Sequence, residues 1–125
     1  MTASTTYDPR QLAQRVAALA LELKASDVVI LDVRGIADVT DCFVIASGTS
    51  DAHVRGIANH VLDELRSEGV RPHHEEGLQQ GRWVLLDYID VIVHIFHPQL
   101  REFYQLERLW SDAEVVPVEL EQALR

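Results

Sequence analysis

Trp83–Trp110, WVLLDYIDVIVHIFHPQLREFYQLERLW, is the stretch whose reading decides the fold. Trp83–Leu86 is an apolar run, and Val91–Phe96 is another, interrupted only by His94. Branched and aromatic residues of this kind fit a buried, pleated surface. Asp87-Tyr88-Ile89-Asp90 is the polar break between them, which predicts a β-hairpin. Pro98 suits the first turn of a helix, where its missing N–H leaves no bond unmade, so an amphipathic helix is expected to follow.

Working outward, Asp8-Pro9 is a helix start, with a capping carboxylate and a proline at the first helical position. Leu12, Val16, Leu19 and Leu23 recur at helical spacing, predicting a helix from Pro9 to about Ala25. Val28–Val33 is a β-branched run and an expected strand, and residues 34–38 form a turn. Cys42–Ser47 is apolar on both faces, which predicts a central strand. After Gly48, Ser50 or Asp51 is the expected cap of a second helix. Its apolar positions are Val54, Ile57, Ala58, Val61, Leu62 and Leu65, a 3.6-residue repeat that Gly69 stops. Burying those side chains offers a gross stabilisation of roughly 8–15 kcal/mol before chain entropy is subtracted.

A short strand near residues 70–74 completes a strand–helix–strand crossover, expected right-handed and parallel. Residues 75–82, with two glycines and no apolar run, read as a loop. The expected architecture is α/β, with helices packed on a mixed sheet of about five strands. Residues 1–125 are expected to form one domain: a flexible start at 1–8, a folded body at 9–110, and a loosely held tail at 111–125 that contains Pro117.

Composition narrows the function classes. Twenty acidic residues against 11 basic ones give a net charge of −9, and Lys24 is the sole lysine. A direct grip on nucleic-acid backbone needs clustered cations, so none is expected; an acidic domain steers towards basic partners. No apolar run is long enough to span a bilayer, and MTASTTYDPR lacks the form of a signal peptide, so a cytoplasmic location is expected. Cys42, the only cysteine, lies in an apolar run and reads as a buried, inert thiol.

Several motifs carry chemistry on paper. The strand–Ser47-Gly48-Thr49-Ser50–helix junction is a place where free N–H groups can hold phosphate. It resembles the glycine-serine loop of nucleotidyltransferases, so a nucleotide-binding enzyme is the alternative reading. Such enzymes also need carboxylates grouped to hold magnesium, and Asp87 and Asp90 flank a turn instead. His73 and His74 are adjacent, so on a strand they point to opposite faces and cannot share an ion. The odd spacing of His94 and His97 has the same consequence. No catalytic residue, metal or cofactor is expected. The hairpin is the stronger candidate: Trp83 opens it and Ile89 stands at its tip beside two acids, a pattern that suits either protein docking or folding back into the core.

Residues 40–61, TDCFVIASGTSDAHVRGIANHV, then Glu76-Gly77, then Trp83–Trp110, together resemble the ribosomal silencing factor family, also called the Iojap family. The resemblance covers about Leu12 to Trp110. It implies a nucleotidyltransferase-like fold without catalysis. It also implies binding to the large ribosomal subunit through ribosomal protein L-fourteen, which blocks subunit joining and represses translation. Carried onto the matching positions, it implies a docking surface of Trp83, Leu85, Asp87, Tyr88 and Asp90, with Arg101, Glu102 and Tyr104 at its edge. Phe103, Leu106, Leu109 and Trp110 are assigned to packing. Family members commonly have glycine where this chain has Ile89, which bears on the turn type. A homodimer paired through sheet edges is a third reading.

Overall fold

The computed structural model describes residues 7–100 and 113–119. Helix α1 (Pro9–Glu22) begins as the sequence predicts. Asp8 accepts from the Gln11 backbone N–H at 2.8 Å while the Gln11 side chain accepts from the Asp8 N–H at 3.1 Å. Strand β1 (Ser26–Asp32) runs antiparallel to β2 (Cys42–Ser47), whose six residues are all buried. Helix α2 (Asp51–Ser67) is capped by Ser50, and its buried residues are the six that the periodicity predicts. Gly69 follows it at φ +83°, the left-handed stop that glycine adopts most readily.

Next come β3 (His74–Glu76) and the hairpin β4 (Trp83–Asp87) and β5 (Val91–Phe96). Residues 98–100 are helical, and the helix predicted beyond them lies outside the described residues. The last described strand is β6 (Glu114–Val116). The sheet order is β3-β4-β5-β2-β1-β6. Among the described strands only β2 and β5 pair in parallel.

Three expectations are corrected. The crossover through α2 does not place β3 beside β2; β5 is the parallel neighbour of β2 and β3 lies at the far edge. The reason is burial: β5 is apolar on both faces, whereas His74-Glu75-Glu76 is charged and exposed, which suits an edge. β3 also takes two residues of the predicted 75–82 loop. Finally, among the described residues the sheet has six strands where about five were expected, because β6 pairs with β1 within the stretch expected to be a loose tail. Side chains on α1 hold that segment. Arg10 donates to Glu114 at 2.5 Å, and the buried Gln14 donates to the Pro117 carbonyl at 2.7 Å and accepts from the Glu119 N–H at 2.9 Å.

The sheet has two unlike faces. Helices α1 and α2 cover the first, burying Val44, Ala46, Val84, Leu86, Val93 and Ile95. The second carries Leu31, Phe43, Ile45 and Phe96, with Leu100 and Ala113 packed against them. Alternation along β4 assigns Trp83, Leu85 and Asp87 to this second face, opposite Phe96, His94 and Ile92 in turn.

Candidate docking surface

The second face of the hairpin is built from ring packing. Trp83 stacks on Phe96 with centroids 5.5 Å apart and planes 20° apart. Its indole N–H donates to His94 Nδ1 at 3.0 Å. Phe43 closes the other side of the imidazole at 5.7 Å. His94 is 9% exposed, and burial pushes its pKa down to about 4. The ring is therefore neutral, with Nδ1 free to accept from Trp83. Trp83 is half-buried, so one part of the indole packs inward and the remainder reaches solvent beside half-buried Leu85. Folding back thus describes part of this side chain, and the rest is exposed.

The turn is set by side chains. Asp87 Oδ1 accepts from the Ile89 N–H at 2.7 Å. Ile89 sits at φ +73°, where a β-branched residue is strained by about 1–3 kcal/mol. Beta-branching at a left-handed position explains why glycine is the easier solution there. Asp90 is exposed, and its carbonyl accepts from the N–H groups of Asp41 and Cys42 at 3.2 and 3.1 Å.

Tyr88 is the correction among the expected docking residues. It is 7% exposed, turned into the helix-covered core, and its buried hydroxyl has no hydrogen-bond partner. Burial raises its pKa, and nearby Glu75 adds to the rise. The alternation that puts Asp87 on the second face sends Tyr88 to the first, so its role is packing. Trp83, Leu85, Asp87 and Asp90 remain on the hairpin surface. Arg101, Glu102 and Tyr104, and the packing residues Phe103, Leu106, Leu109 and Trp110, lie outside the described residues.

The features behind the alternative reading are occupied by structural work. A Cβ at Gly48 would stand 2.8 Å from Val54 Cγ2, so glycine there lets α2 approach β2. Ser50 Oγ accepts from the His53 N–H at 3.0 Å as an ordinary cap. Past the carboxyl ends of β2 and β5 lies an open crevice of about 280 Å³; its described lining residues are Asp51, Arg82, His97, Gln99 and Leu100, and among these Asp51 is the single carboxylate. Among the described residues no group of three His, Cys, Asp or Glu is placed to hold a metal ion. Cys42 is buried and its thiol pKa is pushed up to about 11 by burial, which suits an inert thiol.

Sequence patterning passed over an ion-pair cluster at the end of β1. Buried Asp32 accepts from Arg34 Nη2 at 2.8 Å and Arg10 Nε at 2.9 Å, and Arg10 continues to Glu114. The hydrogen bonds from Arg34, reinforced by Arg10, hold the Asp32 carboxyl far below the usual carboxylate range. The sequence signal was an aspartate ending an apolar strand beside an arginine.

Fold and surface define a small mixed α/β domain whose hairpin end is acidic and partly apolar. Residues 6–125 match the family model described as "Ribosomal silencing factor during starvation". The chain is 41% identical over 106 residues to the ribosomal silencing factor of Bacillus subtilis, covering 84% of this chain and 90% of that one. It is 31% identical over 90 residues to the mouse protein named for mitochondrial assembly of the ribosomal large subunit, covering 70% of this chain and 40% of that one. A crystal structure from Chromobacterium violaceum superposes with a TM-score of 0.81 at 30% identity, covering 84% of this chain and 88% of that one. The chain belongs to the ribosomal silencing factor family.

Proposed function

We propose that this protein binds the large ribosomal subunit through ribosomal protein L-fourteen, blocks subunit joining by occupying that face, and so represses translation. The observation that carries the reading is the family match over residues 6–125. The mouse relative's name ties that protein to assembly of the large subunit, which supports the same subunit as partner here. Docking uses Trp83, Leu85, Asp87 and Asp90, with Arg101, Glu102 and Tyr104 at the edge. A chain of net charge −9 is attracted to a basic ribosomal protein and repelled by bare RNA.

Steric blocking requires affinity and position and no activated group, so no turnover is part of the mechanism. The test is a joining assay with purified subunits. Saturating protein should slow joining and co-sediment with isolated large subunits; normal joining at saturation refutes the reading. Asp90→Lys should weaken binding while circular dichroism stays unchanged. Saturable heat on titration with magnesium and ATP would instead favour a nucleotide-binding role.

A further inference from the structure

At the end of the sheet where β1 and β4 finish and β2 and β5 start, three large apolar residues are solvent-exposed: Ile36 at 47%, Val39 at 64% and Ile89 at 60%. Ile36 and Val39 lie on the β1–β2 loop and Ile89 on the β4–β5 turn. The two loops are joined. Thr40 Oγ1 donates to the Ile89 carbonyl at 2.9 Å, and the Asp41 and Cys42 N–H groups donate to the Asp90 carbonyl. Thr40 is buried beneath this junction. The apolar residues are therefore presented on a braced surface, and little ordering entropy remains to be lost on binding.

Ile89 gains little from burial and sits on a left-handed backbone that opposes β-branching. Asp38 and Asp41 share the β1–β2 loop with Ile36 and Val39, and Asp87 and Asp90 flank the turn that carries Ile89; Asp38 and Asp90 are exposed, Asp41 and Asp87 half-buried. The one nearby cation on these two loops, Arg34, is committed to Asp32 at 2.8 Å. An apolar centre inside an acidic rim is complementary to a basic protein segment with an apolar side chain between its charges. It is a poor match for a second copy of this chain, because a twofold contact would set acid against acid.

We propose that Ile36, Val39 and Ile89 form the apolar centre of a docking surface for such a basic protein segment on the large subunit, with Asp38, Asp41 and Asp90 as its rim. This rests on the large-subunit reading and adds a second loop, the β1–β2 loop, to the hairpin contact.

The test is a pelleting titration of purified large subunits with wild-type protein, the double variant Ile36→Ser/Val39→Ser, and Asp38→Lys. Wild type should bind, and the double variant should bind at least tenfold more weakly with an unchanged melting temperature. Asp38→Lys should weaken binding most at low salt, because rim charges are screened as salt rises. If the double variant melts lower, Asp38→Lys decides: a salt-sensitive loss supports the surface and unchanged affinity overturns it. Wild-type binding with both variants equal to it overturns the surface and leaves the large-subunit reading standing. Absence of wild-type binding removes both. Dimers in sedimentation velocity that the double variant abolishes, without loss of subunit affinity, would make the patch a self-contact and overturn the inference.

Discussion

The buried imidazole of His94 makes fold stability depend on pH in a way that can be calculated. Its folded pKa is pushed from the ordinary value of 6.5 down to about 4 by burial alone. The unfolded chain therefore binds a proton that the folded chain refuses. Stability is full above pH 6.5 and is lost as pH falls towards 4, because only the unfolded state gains from protonation. Integrating between pH 7 and 5 gives a loss of about 2 kcal/mol, rising to about 3 kcal/mol at pH 4. Other titrating groups contribute as well, so the comparison is with His94→Gln, which keeps an acceptor for the Trp83 N–H and removes the titration. Urea unfolding followed by tryptophan fluorescence at pH 7, 6 and 5 measures both proteins. Wild type should lose about 2 kcal/mol more than the variant between pH 7 and 5. Parallel losses would refute the reasoning, and would mean that His94 is hydrated or can open to solvent. Protonation of the folded ring, near pH 4, would turn Nδ1 into a donor and break the 3.0 Å bond that orients Trp83. Large-subunit affinity should accordingly hold level from pH 7 to 5 and weaken only as pH approaches 4, more in wild type than in His94→Gln.

Other positions yield shorter predictions. At Ile89, φ +73° reverses the usual order of substitutions: Ile89→Gly should be more stable than Ile89→Ala by about 0.5–1 kcal/mol, read as a melting temperature ~3 °C higher. An alanine variant equal to or better than glycine would contradict the left-handed turn. Tyr88→Phe removes a buried, unpartnered hydroxyl and should raise stability by about 1 kcal/mol while leaving large-subunit affinity unchanged. Weakened affinity would return Tyr88 to the contact set. Gly77→Ala would force a Cβ to within 2.0 Å of the Trp83 carbonyl at φ +78°, and should cost more than about 2 kcal/mol in urea unfolding. A neutral result would mean that the loop before β4 moves away freely.

Much of the candidate surface was legible because a hairpin is a local object. Its two strands are joined by three residues, so pairing, the exposed tip and the side of each residue follow from alternation. Alternation also assigns Tyr88 inward. The expected docking set includes Tyr88 because that set is carried onto the matching positions by the family resemblance rather than worked out from alternation, and a tyrosine is at home on either side of a boundary. The exposed Ile36 and Val39 were hidden differently. They lie in a stretch read as a turn and its flank, and only the hydrogen bonds to Ile89 and Asp90 bring that loop to the hairpin.

The amino-acid sequence by itself determined the helices, their caps, the core face of α2 and the strands of the hairpin. Each rests on spacing within one short segment, where 3.6-residue and two-residue repeats declare the buried side. It also determined the family, through motifs spread over most of the chain. Only the tertiary structure decided the strand order. Placing β5 beside β2 rather than β3, and recruiting Glu114–Val116 to the far edge, depends on competition for the buried centre of one sheet. That competition is settled by contacts between residues distant in sequence, and no local pattern encodes it. The same holds for Asp32, a lone strand-end acid in the sequence. In the folded chain it is buried between Arg34 on its own loop and Arg10 on α1, with Glu114 beyond. Burial makes such a group costly unless its partners arrive from elsewhere, and folding brings them there.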